Sequence, residues 1–262
     1  MTQRLVLGCD SSTSATKVIA FDQTGATIAE GSGSYPLYQE QPGWVEQDPE
    51  DWWTAFCTAC RQIIAAGVDP HDCTGLGLTH QRFTFVPVDS DCRPLRRAIL
   101  WNDIRCGAEA EHARQTLGEQ RIFERTGYPP GQWTLYKALW LKNNEPEIYD
   151  KTYKLMLVQD YLIHRLTGAV VTMQGGGTMT GALDIAEPSR WATDIIEGLG
   201  VRSDIWIEPI LPGGAIAGRV SAAAAAATGL PEGMPVVTGA GDQPCGIIGA
   251  GVVNPGEIGI NG

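Results

Sequence analysis

The sequence has 262 residues, enough to bury a substantial hydrophobic core. Hydrophobic residues make up 43% and charged residues 19% of it, which excludes a disordered or low-complexity chain. Its 19 Lys and Arg against 30 Asp and Glu give a formal net charge of -11, and without a basic stripe this predicts no nucleic-acid partner.

The first part of the chain predicts an antiparallel hairpin region followed by a helix. Short apolar or β-branched runs between polar turns predict strands at residues 5–9, 17–21 and 27–35. A helix is expected to begin at Pro49, with Asp48 as its N-cap and Gly67 as its C-terminal stop.

Helices and strands alternate through the rest of the chain. The patterns predict strands at 75–79, 83–88, 98–101, 154–158 and 235–239, and helices at 108–117, 135–143, 160–166 and 222–227. The glycine-rich segment 174–180 is expected to be a flexible loop. We therefore expect one α/β domain, a mixed sheet with an antiparallel start flanked by helices.

Membrane and disulfide signals are both missing from the sequence. No apolar run approaches the ~20 residues of a membrane helix, and Asp10 comes too early for a secretory core. Seven cysteines are an odd number without the rhythm of a disulfide scaffold, which is typical of a reducing compartment. We expect a cytoplasmic protein with no membrane partner. A homodimer is compatible with the sequence.

The first candidate site is the turn Asp10-Ser-Ser-Thr-Ser-Ala-Thr-Lys17 between two predicted strands. Its hydroxyls, backbone N–H groups and Lys17 can bind a phosphate, and Asp10 can hold a hydrated Mg²⁺. A solvated hairpin explains the same residues. The turn is not a Walker loop, because its glycine and Gly-Lys pattern is missing.

The second candidate is Asp242, which follows an apolar strand in the glycine-rich segment Gly239-Ala-Gly-Asp242. Small neighbours allow a ligand to approach the carboxylate closely. A plain helix N-cap is the alternative interpretation.

The third candidate combines Trp101-Asn-Asp-Ile-Arg105 with the elbow His80-Gln81-Arg82, and Trp133 is a further aromatic candidate. Amides, a carboxylate and a guanidinium beside an indole suit a polyol, whose hydroxyls need donors and acceptors and whose carbon face needs an aromatic ring. The alternative is a surface ion-pair network with Trp101 in the core.

The order and spacing of these motifs closely resemble the N-terminal domain of the FGGY carbohydrate kinases, which include xylulokinases and glycerol kinases. The resemblance covers essentially the whole chain. It is carried by Asp10-x-x-Thr13, Gly43-Trp-Val-Glu-Gln-Asp-Pro-Glu-Asp-Trp-Trp53, Gly77-Leu-Thr-His-Gln-Arg82, Trp101-Asn-Asp-x-Arg105, Gln159-Asp-Tyr-Leu-x-x-Arg-Leu-Thr-Gly168 and Gly241-Asp242.

The resemblance implies a ribonuclease-H-like fold of the actin and hexokinase ATPase type, with ATP and Mg²⁺ as cofactors. It implies that residues 1–262 form the N-terminal sugar-binding domain without the C-terminal nucleotide domain, and that the fragment alone lacks kinase activity. The implied roles are catalysis by Asp242, metal binding by Asp10, phosphate binding by Ser11, Ser12, Thr13, Ser14, Thr16 and Lys17, and substrate binding by Gln81, Arg82, Trp101, Asn102 and Asp103.

The implied activity is ATP-dependent phosphorylation of a small sugar or polyol, first a ketopentose such as D-xylulose. A glycerol or small-polyol kinase, or a catalytically weakened sugar-binding homologue, is the alternative. Three departures from the family patterns keep these alternatives open. Ser12 replaces the Gly of Asp-x-Gly-Thr, Phe83 replaces a hydrogen-bonding residue at the elbow, and a Thr-Asp-x-Ser stretch is missing near Met173.

Overall fold

The structure is a computed structural model that describes residues 4–260. Two 3₁₀ turns lie at Pro70–Asp72 and Thr178–Thr180. The strands are β1 (Leu5–Ser11), β2 (Ala15–Phe21), β3 (Thr27–Ser34), β4 (Glu46–Gln47), β5 (Cys73–His80), β6 (Phe85–Val88), β7 (Ala98–Ile99), β8 (Lys154–Leu157), β9 (Thr172–Met173), β10 (Ile210–Leu211), β11 (Ile216–Arg219) and β12 (Pro235–Val237). The helices are α1 (Pro49–Ala65), α2 (Gly107–Leu117), α3 (Glu119–Thr126), α4 (Thr134–Asn144), α5 (Pro146–Lys151), α6 (Val158–Thr167), α7 (Gln174–Gly177), α8 (Thr193–Gly198), α9 (Ala222–Thr228) and α10 (Asp242–Gly249).

The larger sheet has six strands in the order β11-β12-β5-β1-β2-β3. β1, β2 and β3 pair antiparallel, which confirms the expected start of the fold. β5 pairs parallel with both β1 and β12. Because β1, β5 and β12 run in the same direction, their C-terminal ends meet at one edge of this sheet.

Helices α1, α6 and α9 enclose the first hydrophobic core against the large sheet. The expected start of α1 is confirmed, since the Asp48 carboxylate accepts the Glu50 N–H at 3.0 Å. Trp52 and Phe56 of α1 are fully buried in this core. Ser221 before the alanine run 222–227 and Gly229 after it predict a helix with a serine cap and a glycine stop. The structure confirms both, since the Ser221 side chain accepts the Ala224 N–H and Gly229 is left-handed.

A second core forms around an antiparallel sheet of four strands in the order β4-β7-β6-β8. Phe85 of β6 and Ile99 of β7 pack there with residues of α4 and α8, including Leu139 and Ile195. The chain crosses from the large sheet to this one between β5 and β6, so the segment 81–84 lies at the junction.

The segment 174–180 is not the flexible loop that its glycines predict. It forms α7 and a 3₁₀ turn, and Gly176, Gly177, Met179 and Thr180 are buried. Tertiary packing therefore overrides the low helix propensity of glycine here. Short elements such as α3, α5 and α8 also have no counterpart among the expected elements.

Within the described residues, no helix has the length and apolar character needed to cross a membrane.

Candidate active-site cleft

The ends of the parallel strands bring two predicted carboxylates to the same edge of the large sheet. Asp10 of β1 lies opposite Thr79 of β5 in the strand register. The Thr79 hydroxyl donates to the Ala240 carbonyl at 2.7 Å, and His80 forms a parallel bridge with Gly241. The chain after β12 therefore follows β5 until it reaches Asp242.

Asp10, Lys17 and Asp242 line one cleft with a volume of about 590 Å³. Its floor is largely apolar and includes Leu78, and Cys245 of α10 lies in its wall. A cleft of this size and composition is typical of small-molecule sites. The structure thus brings together the turn after β1 and the segment after β12.

The Asp10 carboxylate is poorly satisfied within the protein. Its Oδ1 is buried and has no hydrogen-bond partner among residues 4–260. Burial, and then the negative charge of Asp242, raise the pKa of Asp10, while Lys17 acts in the opposite direction. A cation bound at this edge would offset both unfavourable effects.

Asp242 is the first residue of α10 rather than its N-cap, which is Gly241. Its side chain is 41% exposed, and its Oδ1 accepts the Gln243 N–H at 2.8 Å. The same Oδ1 lies 3.4 Å from Nε of Arg82. The carboxylate therefore has a fixed direction and remains open to the cleft.

Two glycines allow the close packing that supports the Asp242 segment. A Cβ atom at Gly239 would lie 2.0 Å from the Leu78 carbonyl oxygen, and one at Gly175 would lie 2.9 Å from the Ala240 Cβ. Any side chain at these positions would push the segment away from β5 or from α7. The glycines of α7 are thus explained by packing, not by mobility.

The turn after β1 divides its predicted phosphate donors into two groups. Ser11 and Thr16 are fully buried, and their hydroxyl oxygens lie 3.0 Å apart beside the Tyr35 hydroxyl. Tyr35 in turn donates to the Ser12 carbonyl at 2.5 Å. The Ser11 and Thr16 hydroxyls therefore bind other protein groups and shape the turn from inside, and their expected phosphate contacts stay a prediction.

The remaining residues of the turn are more accessible. Ser12 and Thr13 are half-buried, and the Ser12 hydroxyl donates to the Ala15 carbonyl at 3.0 Å. The Thr13 hydroxyl accepts the Trp101 indole N–H at 3.0 Å. Ser14 and Lys17 are exposed, so they are the turn's side-chain donors best placed for a ligand.

The elbow between β5 and β6 is mostly buried. His80 is fully buried, its Nδ1 lies 2.7 Å from the Gln81 carbonyl oxygen, and burial lowers the pKa of His80 to about 4. Gln81 is also buried and donates from Nε2 to the Gln47 side-chain oxygen at 2.8 Å. The Gln81 side chain therefore does not present its amide freely to the cleft, whereas the Arg82 guanidinium reaches Asp242.

Aromatic residues surround the elbow on one side. Phe83 has a φ of 59°, a left-handed conformation that is unusual for a bulky residue. Its ring centroid lies 4.8 Å from that of Trp133 and 6.4 Å from that of Tyr128, and the Arg82 guanidinium lies 5.2 Å from it. No sequence motif identifies Tyr128 as part of this aromatic group, because its contact with Trp133 depends on the fold.

The Trp101 turn after β7 has one exposed and one fully buried side. Trp101 is 43% exposed, and Oδ1 of the half-buried Asn102 has no hydrogen-bond partner within the described residues. Asp103 is 0% exposed and accepts the Val45 N–H at 2.6 Å and the Arg105 guanidinium at 2.7 Å. The Asp103 carboxylate is therefore fully hydrogen-bonded within the protein, and its expected substrate contact stays a prediction.

Two buried cations support this turn from below: Arg105, which belongs to the third candidate, and Lys137, which no sequence motif identifies. The Arg105 guanidinium carbon lies 3.8 Å from the centroid of the Trp44 ring and 4.8 Å from that of the Trp140 ring. The Lys137 ammonium donates to the carbonyls of Leu100 and Trp101, the second at 3.2 Å, and burial lowers the pKa of Lys137 to about 8.

The protein offers only part of a metal site. Among residues 4–260, no group of three or more His, Cys, Asp or Glu side chains is arranged to hold a metal ion. Mg²⁺ typically binds one or two carboxylates together with water and substrate phosphates. The unpartnered Oδ1 of Asp10, facing a second carboxylate, fits that kind of site.

Comparison with known proteins agrees with this geometry. Residues 5–249 match the N-terminal domain of the FGGY family of carbohydrate kinases, and the chain belongs to this family. It is 34% identical over 255 residues to the xylulose kinase of Bacillus subtilis (strain 168), covering 97% of the chain and 51% of that protein. It is 35% identical over 257 residues to a xylulose kinase of Staphylococcus epidermidis, covering 97% and 50%.

A solved structure of a xylulose kinase from Rhodospirillum rubrum superposes with a TM-score of 0.91 at 28% identity. The match covers 97% of this chain and 52% of that chain. The expected FGGY kinase fold is thereby confirmed. The chain spans about half the length of the curated relatives it matches.

Proposed function

We propose that the complete protein transfers the γ-phosphoryl group of ATP to a hydroxyl of a ketopentose such as D-xylulose, and that this chain is the sugar-binding domain. The observation that carries the proposal is the approach of Asp10 and Asp242 from separate strand ends to one cleft. The names of the relatives, which are xylulose kinases, support the substrate class.

In this proposal Asp242 orients the acceptor hydroxyl and finally accepts its proton. An aspartate is a weak base toward an alcohol, but phosphoryl transfer has a loose transition state that depends mainly on alignment. The ion pair with Arg82 and the hydrogen bond from the Gln243 N–H hold the carboxylate in one direction. Direction therefore matters more than basicity at this position.

Asp10, Lys17 and Ser14 form the phosphate side of the proposed site. Asp10 would hold Mg²⁺, which offsets charge on the phosphates when it is bound. Lys17 pairs with Asp10 across the hairpin, and the side chains of Lys17 and Ser14 are both exposed and can donate to phosphate oxygens. These contacts would stabilise charge that develops on the transferring group.

The sugar side of the proposed site consists of Arg82, Trp101 and Asn102. Trp101 offers an exposed ring to the carbon face of a sugar, and Asn102 has an oxygen that still lacks a partner within residues 4–260. A small-polyol kinase is the second candidate, because the Gln81-Arg82 elbow is glycerol-kinase-like, although Phe83 stands where the glycerol-kinase pattern has a glutamate that can hydrogen-bond to a hydroxyl.

We also propose a cytoplasmic location, which the seven free cysteines support, and an absence of kinase activity in the isolated chain. The second point follows if a further domain is needed to complete the nucleotide site.

The test is ADP release by the complete protein with ketopentoses, tetritols and glycerol. We expect turnover with one of these classes and a loss of kcat by at least ~10³-fold in Asp242→Asn, about 4 kcal/mol. Asp194→Asn is the matched control, because Asp194 pairs with Arg125 instead of lining the cleft. Retention of turnover within ~10-fold by Asp242→Asn would disprove its role, and sugar binding without any turnover would favour the weakened homologue.

A further inference from the structure

A buried glutamine connects the turn after β1 with the elbow between β5 and β6. Gln47 is the last residue of β4, lies in the segment Trp44-Val-Glu-Gln-Asp-Pro49 and is 0% exposed. Its Nε2 donates to the Thr13 carbonyl at 2.6 Å. Its Oε1 accepts the Gln81 side-chain N–H at 2.8 Å and the Trp52 indole N–H at 2.9 Å.

The partners of this amide belong to both halves of the proposed site. Thr13 is in the turn after β1, which carries the proposed phosphate donors, and Gln81 is in the elbow, which carries Arg82. A further bond between the same two segments runs from the Gln81 N–H to the Ser11 carbonyl at 2.9 Å. The side chain of Gln47 thus spans a junction between the two sheets.

We propose that Gln47 is a positioning residue that fixes the sugar-binding elbow relative to the phosphate-binding turn. The inference rests on the proposed kinase function for its catalytic consequence. In-line transfer requires donor and acceptor to be aligned, and a misplacement by ~1 Å can cost about 10²-fold in rate. Gln47 does not line the cleft, and its side chain hydrogen-bonds to Thr13, Gln81 and Trp52, so it acts on the site through Thr13 and Gln81.

The hydrogen-bond partners of Gln47 require an amide side chain at this position. The Thr13 carbonyl needs a donor, and the N–H groups of Trp52 and Gln81 need an acceptor. An ionised glutamate only accepts hydrogen bonds, so it would leave the Thr13 carbonyl facing a negative oxygen. A protonated glutamate has one donor and one acceptor and would restore the pattern.

This difference makes Gln47→Glu a pH-reversible test. Burial raises the pKa of a carboxyl group, so the substituted side chain would become protonated in mildly acidic solution. Gln47→Ala has no titratable group and would not recover. Gln62→Glu is the matched control, because its Oε1 accepts the Ser32 N–H between α1 and β3 and keeps that acceptor as a carboxylate.

The first measurement needs no substrate. In the ligand-free complete protein at pH 7, we expect amide hydrogen exchange in residues 11–16 and 80–84 to rise at least ~5-fold in Gln47→Glu and to stay unchanged in Gln62→Glu. Unchanged exchange in both segments of Gln47→Glu would overturn the proposed fixation, whatever the substrate proves to be.

The second measurement tests the catalytic consequence. We expect kcat of Gln47→Glu to fall ~10²-fold at pH 7.5, with KM for sugar and ATP within ~3-fold, and to recover relative to wild type as the pH falls toward ~5.5. Faster amide exchange in Gln47→Glu with an unchanged kcat would overturn the positioning role. A loss of kcat that does not recover at acidic pH would overturn it as well. Failure of the kinase proposal is seen separately, as absence of turnover in the wild type.

Discussion

Two regions of the molecule, the end of β1 and the turn after β7, use an aspartate in opposite ways. Asp10, at the end of β1, keeps one buried oxygen without a partner among residues 4–260 and faces a second carboxylate. Asp103, after β7, is fully buried, and both of its oxygens are hydrogen-bonded to Arg105 or to Val45 N–H. In the proposed site, the carboxylate of Asp10 is the one left available for a ligand, whereas the fully hydrogen-bonded carboxylate of Asp103 supports the site from behind.

The largest expected effect is a loss in the free energy of unfolding when Asp103 is replaced. Asp103→Asn removes one of the two carboxylates that pair with the buried Arg105 guanidinium and leaves only Glu46, and breaking a buried pair costs about 3–5 kcal/mol. Urea unfolding should show this loss. Asp91→Asn is the control, because its pair with Arg93 is 63% and 75% exposed and should be worth less than about 1 kcal/mol. Equal losses in both variants would contradict the supporting role of Asp103.

His80 should make the free energy of unfolding sensitive to acid. Its pKa is lowered to about 4 in the folded protein, so the unfolded chain binds more protons between pH 6.5 and 4. The stability present above pH 6.5 is then lost as the pH falls, by up to about 3 kcal/mol relative to His80→Asn. Asn keeps a donor near the Nδ1 position, and His71→Asn on the exposed surface is the control. Parallel pH profiles of wild type and His80→Asn would contradict this prediction.

At Asp10 the loss should be in activity and not in stability. Asp10→Asn removes a carboxylate that burial and Asp242 disfavour, so the free energy of unfolding should stay the same or rise. The kcat of the complete protein should fall on the order of 10²-fold, because Mg²⁺ and phosphate would lose a ligand. A variant that is clearly destabilised would show that Asp10 supports the fold as Asp103 does.

The smallest effect is expected at Lys137. Lys137→Met removes the ammonium that donates to the Leu100 and Trp101 carbonyls but no longer buries a charge, so we expect a net loss of about 1–2 kcal/mol in the free energy of unfolding. Acrylamide quenching of Trp101, obtained by difference from Trp101→Phe, should increase as the turn loosens. Lys142→Met on the same helix removes only a bond to the Gly200 carbonyl and should not change that quenching.

The sequence by itself determined the local elements and the family. The strand runs before residue 35, the Asp48 and Ser221 caps and the stop at Gly229 all depend on neighbours in sequence, and the structure confirms them. The FGGY motifs identified the family, because their order along the chain is visible without any coordinates.

Only the tertiary structure decided which side chains of those motifs face the cleft. Ser11 and Ser14 look equivalent in sequence, but the Tyr35 hydroxyl lies beside the buried Ser11 while Ser14 remains exposed. Gln47 lies in a family motif, but its link to Thr13 and Gln81 is not visible there because each is 34 residues away along the chain. Lys137 likewise lies 37 residues from Leu100. Burial and long-range hydrogen bonds form only when the two sheets pack together. Patterns of neighbouring residues in the sequence therefore do not predict them.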